Sequence, residues 1–428
     1  MTTTPARPAP RLSKAPTPPP PTAPSMARTA LTLGAFVALG PLTIDLYLPA
    51  LPTVADDLMT TNAAVQLTLT GTLVGMGLGQ LVIGPLSDAL GRRRPLLAGT
   101  ALHVLASLLI LVAPNIAVLG ALRLLQGVGT AAGMVIAMAV IRDLFDGRDA
   151  ATMISRLMLV IGAFPVLAPL LGSQILRVTS WRGVFAILAG FGLLILVVGW
   201  FVLRETLAPA DRMSVGVRST LGSYRGLFRD RVFVGLVLVG GLTIAGLFSY
   251  VSGAAFVYQD EFGLDKQQFG YLFSAGAFWF IAATQLNPVL LRRWSTAWTL
   301  VGATIGGAAC GLVLLVLALI DTGSIWAVAI PMWGVLFATG VGLPNAPALA
   351  LSRHGEAAGT AAALLGAVQF VVGAVVAPMV GVLGNDALAM GAVVVTALVL
   401  SLAVLLVMVR PWLLPEPEDD ESGLVPAH

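Results

Sequence analysis

A run of long apolar stretches, separated by short breaks rich in glycine, proline and charge, constrains this chain more than any other feature. They cover residues 29–51, 63–86, 95–113, 116–141, 151–176 and 182–203. After a polar stretch over 204–231 they resume at 232–258, 268–290, 298–320, 325–351, 359–383 and 387–409. A helix needs about 20 apolar residues to cross a bilayer, and it alone satisfies its own backbone groups there without pairing to another segment. Only 11% of the 428 residues are charged and 57% are hydrophobic, whereas an ordinary soluble domain has about 25% charged residues. The chain therefore reads as all-α and polytopic, with twelve transmembrane helices. A soluble enzyme is excluded.

The same pattern divides the chain. Residues 1–28 are proline-rich and almost without apolar side chains, a composition that predicts a disordered arm. Residues 29–203 form an N-terminal bundle of six helices, 204–231 a cytoplasmic linker, 232–410 a second bundle of six, and 411–428 an acidic tail. The bundles echo each other. The short link Pro114-Asn115 is matched by 321–324, and the basic turn at 91–94 by Arg292-Arg293. Such a repeat predicts alternating access to a site near the membrane midplane.

Basic residues set the orientation, since Arg and Lys concentrate on the cytoplasmic side. With the N-terminus inside, only Arg177, Arg182 and Lys266 fall outside, while Arg92, Arg93, Arg94, Arg142, Arg204, Arg292, Arg293 and most others fall inside. Both termini are expected in the cytoplasm of a bacterial inner-membrane protein. The net charge of +3 is spread over these loops, so no nucleic-acid surface is expected. Cys310 is the sole cysteine, which removes a disulfide framework and a Cys-based metal site. Lys14 and Lys266, the only lysines, follow no glycine-rich phosphate loop. His103, His354 and His428 form no cluster for an integral-membrane acyltransferase. No cofactor or metal is expected, and the predicted state is a monomer in the lipid bilayer.

Among these stretches one carboxylate, Asp45 in the first, and one arginine well inside, Arg123 in the fourth, stand out. Intramembrane ionisable groups face a cavity or a partner, because at a helix centre each costs about 2.5–3.5 kcal/mol. The spacing puts both about 10 Å below the outer surface, so Asp45 and Arg123 can pair if their helices are neighbours. Pro41 and Pro49 lie four residues either side of Asp45 and remove backbone donors, which predicts a broken helix around a polar cavity. A proton-coupling carboxylate and a static ion pair both fit. His103 fits either a proton relay or a packed neutral side chain.

Several stretches resemble the major facilitator superfamily. Gly84-Pro85-Leu86-Ser87-Asp88-Ala89-Leu90-Gly91-Arg92-Arg93-Arg94 is similar to its G-x-L-x-D-x-x-G-R-R loop, which implies a cytoplasmic gate of Asp88 and Arg92. Gly84 is expected to allow close helix approach, and Gly91 to make the turn. Arg123-Leu124-Leu125-Gln126-Gly127-Val128-Gly129 resembles the R-x-x-Q-G-x-G pattern associated with proton coupling. Pro165, Pro169 and Gly172 resemble the antiporter helix, with Ala168 and Ser173 where glycine is usual. A narrower resemblance is to the bicyclomycin/chloramphenicol-resistance (Bcr/CflA) type. It rests on Asp45-Leu46-Tyr47-Leu48-Pro49-Ala50-Leu51-Pro52, Phe248-Ser249-Tyr250-Val251-Ser252-Gly253 and Gly342-Leu343-Pro344-Asn345. The resemblance covers about residues 30–405. It implies efflux of a small amphipathic drug in exchange for a proton, against the alternative of a symporter or facilitator for a metabolite.

For the drug, aromatic and amide groups in an apolar site supply area and a few orienting hydrogen bonds. The candidates are Asp45, Tyr47, Tyr250, Trp333, Asn345 and Gln369. Tyr258 and Trp412, near helix ends, read as membrane-interface anchors.

Overall fold

The computed structural model describes residues 26–212, 226–353 and 358–414. The predicted arm up to residue 25, the linker segment 213–225 and the tail from 415 lie outside the described residues. In the first half the helices are α1 (Met26–Asp45), α2 (Leu51–Asp57), α3 (Asn62–Leu90), α4 (Arg93–Ile110), α5 (Ile116–Leu144), α6 (Gly147–Ile175) and α7 (Trp181–Val202). In the second they are α8 (Arg231–Phe256), α9 (Lys266–Leu290), α10 (Thr296–Ile320), α11 (Ile325–Gly342), α12 (Asn345–Ser352), α13 (Ala358–Val376), α14 (Met379–Leu383) and α15 (Ala387–Val404).

Among the described residues, eleven helical segments are long and apolar enough to cross a membrane. The twelfth, α4, has 18 residues and carries Arg93 and Arg94 in its first turn. Each predicted stretch meets one of these segments. The first segment runs on to Asp57 rather than stopping near residue 51, so Asp45 lies deeper than the spacing suggested. Polar caps stop the helices where apolar sequence runs out: the Asn115 side chain accepts from Val118 N, Asp230 from Val232 N, and Ser295 from Trp298 N.

Close packing within the first half is made by glycine. A Cβ at Gly127 of α5 would overlap the Thr72 carbonyl of α3, and one at Gly75 of α3 would overlap the Leu124 carbonyl of α5. The two backbones therefore touch, as small residues allow in membranes.

The core shows how the halves meet. At the arginine-rich end it splits in two: one cluster holds Leu33, Phe36, Leu96 and Val140, the other Phe233, Leu300, Ala350 and Val409. At the opposite end a single cluster crosses both halves and includes Tyr47, Leu51, Val65, Phe185, Tyr250, Phe256 and Val380. Hydrogen bonds between the halves lie toward that same end, among them Thr70 Oγ1 to the Ala374 carbonyl at 3.0 Å and Ser274 Oγ to the Val166 carbonyl at 2.6 Å. The molecule is shut at the end remote from the arginines.

Candidate functional site

The predicted helix break is present. Proline 41 sits inside α1, which ends at Asp45; the chain turns through Leu46 and Tyr47 and resumes as a tight 3₁₀ turn over Leu48–Ala50, then α2. Because α1 ends at Asp45 and the chain turns, its last carbonyls lack helical donors; Pro49, without an N–H, leaves that of Asp45 bare. Arg123 takes one of them. Its Nη1 donates to the Thr43 carbonyl at 2.9 Å and to Gln126 Oε1 at 2.7 Å. The guanidinium lies 4.9 Å from the Tyr47 ring centroid and 5.5 Å from that of Phe185.

From Gln126 the polar contacts continue. Gln126 Nε2 donates to Ser107 Oγ at 2.7 Å, and Ser107 Oγ to the His103 carbonyl at 2.7 Å. Thr130 Oγ1 donates its one hydrogen to the Gln126 carbonyl at 2.5 Å, so it accepts from His103 Nδ1 at 3.3 Å. Nε2 is then the bare nitrogen, and it is buried with no partner among the described residues. The relay reading of His103 gains no proton path from this arrangement.

The Asp45–Arg123 ion pair is not formed. Sequence spacing matched the two charges in depth, but the break offers Arg123 a free carbonyl two residues earlier and the rings hold the guanidinium there. Asp45 is 6% exposed, with no cation and no hydrogen-bond donor among the described residues. Arg123 Nε and Nη2 are likewise buried and unpartnered among them.

The drug-contact candidates separate into two groups. Tyr47 and Tyr250 are fully buried in the shared core; Tyr47 OH meets Thr68 Oγ1 at 3.4 Å, and Tyr250 stacks on Phe273 with centroids 5.0 Å apart. Tyr258 is no interface anchor: it too is buried, edge-on to Tyr250. Trp412, by contrast, is exposed. Asn345 is already committed, donating to Asn287 Oδ1 at 2.9 Å and to the Val341 carbonyl at 2.8 Å. Trp333 and Gln369 are only partly buried, and each keeps a donor without a partner among the described residues (Nε1 and Nε2).

In the antiporter helix, Pro165, Pro169 and Gly172 all lie in α6, which packs against α9 of the other half. A Cβ on Gly172 would overlap the Leu46 carbonyl. That glycine lets α6 lie directly on the helix break.

At the arginine-rich end, Arg92 pairs with Asp88 as expected. Its Nε also donates to Asp143 Oδ2 at 2.9 Å, a partner the sequence reading did not single out. Glu205 was missed as well. Its carboxylate accepts from the backbone N–H of Arg92 at 2.7 Å and of Arg93 at 3.2 Å, and from those of Thr206 and Leu207. Burial pushes the Glu205 pKa up, but these backbone donors outweigh it and leave the group below its ordinary value. Gly91 makes the turn with φ +89°. Gly84 makes no close approach: the nearest atom to a Cβ there is Val135 Cγ1 at 3.9 Å.

Residues 31–378 match the Major Facilitator Superfamily. The chain belongs to that superfamily. Within it the Bcr/CflA-type relatives are close in sequence. The chain is 32% identical over 85% of its length to a bicyclomycin resistance protein homolog of Haemophilus influenzae, covering 93% of that protein. It is 31% identical over 84% of its length to a chloramphenicol resistance protein of Pseudomonas aeruginosa, covering 84% of it. It is also 36% identical over 90% of its length to an uncharacterised MFS-type transporter, YdgK, of Bacillus subtilis, covering 96% of it. Among solved structures, a partially occluded inward-open xylose transporter of E. coli superposes with a TM-score of 0.71 at 13% identity, covering 91% of this chain and 98% of that one. At that identity the likeness shows the fold: two six-helix halves of the superfamily.

Proposed function

We propose that this transporter exports small amphipathic drugs across the bacterial inner membrane by alternating access, drug out for proton in. Asp45 carries the reading. It is a carboxylate at a helix break, nearly buried, without a cation or donor among the described residues. Such a charge inside a membrane costs about 2.5–3.5 kcal/mol. A bound proton removes the charge, and a donor-bearing or cationic drug compensates it. The two compete for one group, and that competition makes an exchanger.

On this reading Arg123 acts beside Asp45. Held on the Thr43 carbonyl, it keeps the break folded while Asp45 exchanges its occupant. Trp333 and Gln369 offer the drug a ring face and amide and indole donors; Tyr47 and Tyr250 join them only when the shared core opens. The arginine-rich end is cytoplasmic with both termini, so the described conformation faces inward. The drug class is taken from relatives whose names carry bicyclomycin, chloramphenicol and multidrug resistance. One proton moving inward supplies about 1.4 kcal/mol per pH unit and about 2.3 kcal/mol per 100 mV. A single carboxylate at the break predicts one proton per cycle in a monomer.

The test is proton release from purified, lightly buffered protein on addition of chloramphenicol, with drug uptake into inverted vesicles under an imposed pH gradient. Release with uptake driven by an acidic interior supports the exchanger. Movement of drug and proton in the same direction would replace it with a symporter.

A further inference from the structure

Beyond the coupling groups, we infer that Gln66 is the positioning residue that latches the two halves together at the end remote from the arginines. The inference rests on the alternating-access reading above. Gln66 lies in α3 of the first half and is fully buried. Its Nε2 donates to the Ser252 carbonyl of α8 at 3.2 Å and to Asn385 Oδ1, in the turn between α14 and α15, at 2.7 Å. One amide therefore ties one half to two separate elements of the other.

The surroundings are shaped for it. Asn385 adopts φ +62°, a left-handed conformation that asparagine tolerates better than most residues. A Cβ on Gly381 would overlap Gln66 Oε1 and stand 2.9 Å from Ala63 Cα, so only glycine lets the α14 backbone come this close. Among the described residues the other side-chain bonds between the halves have one acceptor each: Ser274 Oγ to the Val166 carbonyl at 2.6 Å, Thr70 Oγ1 to the Ala374 carbonyl at 3.0 Å, Gln267 Nε2 to the Ser173 carbonyl at 3.2 Å, and Asn62 Nδ2 to Asp260 Oδ2 and Gln259 Nε2 to the Pro49 carbonyl, both at 3.4 Å. A buried bond is stronger than an exposed one, and an unmade one is costly. Separation of the halves here must break both Gln66 bonds at once, so Gln66 sets the population of the closed state.

Spin-label distances test this in full-length protein carrying Cys310→Ser. One label pair, Met59→Cys with Thr322→Cys, spans the halves at the latched end. A second, Arg148→Cys with Arg293→Cys, spans them at the arginine-rich end; all four sites are exposed. With Gln66 intact, the two distances should change in opposite senses between low and high pH; distances that never exchange overturn alternating access itself. Given that exchange, Gln66→Leu should shift most molecules to the longer distance at the latched end at every pH, with a shorter one at the other end. Gln66→Glu should recover part of the closed population, and only at low pH, where its carboxyl carries one proton to donate to one of the two acceptors. A Gln66→Leu protein that still binds drug and keeps the distances of the parent overturns the latch. So does a Gln66→Glu protein with no pH difference from Gln66→Leu.

Discussion

Arg123 donates to the main-chain carbonyl of Thr43 at 2.9 Å, while the carboxylate of Asp45, two residues further on, has no ion-pair partner among the described residues. The cation is held at the broken helix by a main-chain carbonyl, and the Asp45 carboxylate has no cation beside it among the described residues.

Asp45→Asn should therefore abolish proton release on chloramphenicol addition and lower active efflux by at least about 100-fold, about 2.7 kcal/mol in rate terms. The fold should survive, because no ion pair is broken. His103→Gln should leave proton release intact. Release that persists in Asp45→Asn and disappears in His103→Gln would move the coupling site.

Arg123→Lys should do the reverse. A lysine ammonium has no flat face to lie against Tyr47 and Phe185, and its shorter stem does not carry a donor to where Nη1 meets the Thr43 carbonyl and Gln126. Stability should fall by about 1.5–3 kcal/mol, the value of a hydrogen bond to a charged group. Melting in detergent checks this against Asp45→Asn, which should melt close to the parent.

Gly127→Ala places a methyl on the Thr72 carbonyl, whereas Gly120→Ala, on the same helix, meets nothing within 4 Å. The first should cost about 1–3 kcal/mol through forced separation of α3 and α5. The second should be neutral or slightly stabilising. Parallel melting curves decide, and equal curves would sink the close-contact account of the glycine pattern.

Glu205→Gln should make stability less dependent on acid. The Glu205 pKa lies below its ordinary 4.5 in the folded protein. A depressed carboxylate stabilises the fold above its unfolded pKa, and that contribution is lost as pH falls through the folded one. Near pH 7 the variant should melt below the parent, and the gap should close as pH falls from 4.5 through the lower folded pKa. A gap that stays constant would mean that Glu205 acts through packing, not charge.

Much of this protein was set by sequence alone. Crossing a bilayer demands long apolar runs, so the helices, their order and the two-half repeat could be read directly from residue types. Pro49 located the break after Asp45, since a missing N–H acts within its own turn, whereas Pro41 lies inside the unbroken α1. Asp88 and Arg92, four residues apart, meet across the turn that Gly91 makes between α3 and α4.

Tertiary structure decided what those groups face. Glu205 reaches Arg92 across more than a hundred residues, and Gln66 reaches Asn385 from the other half; nothing in local spacing encodes either contact. Asn345 carried a family resemblance yet is occupied by Asn287, and Tyr258 sat near a helix end yet is buried. The Asp45–Arg123 pair failed for the same reason. Depth along a helix is a local quantity, whereas the acceptor a side chain meets depends on which backbone was packed beside it and where that backbone was broken.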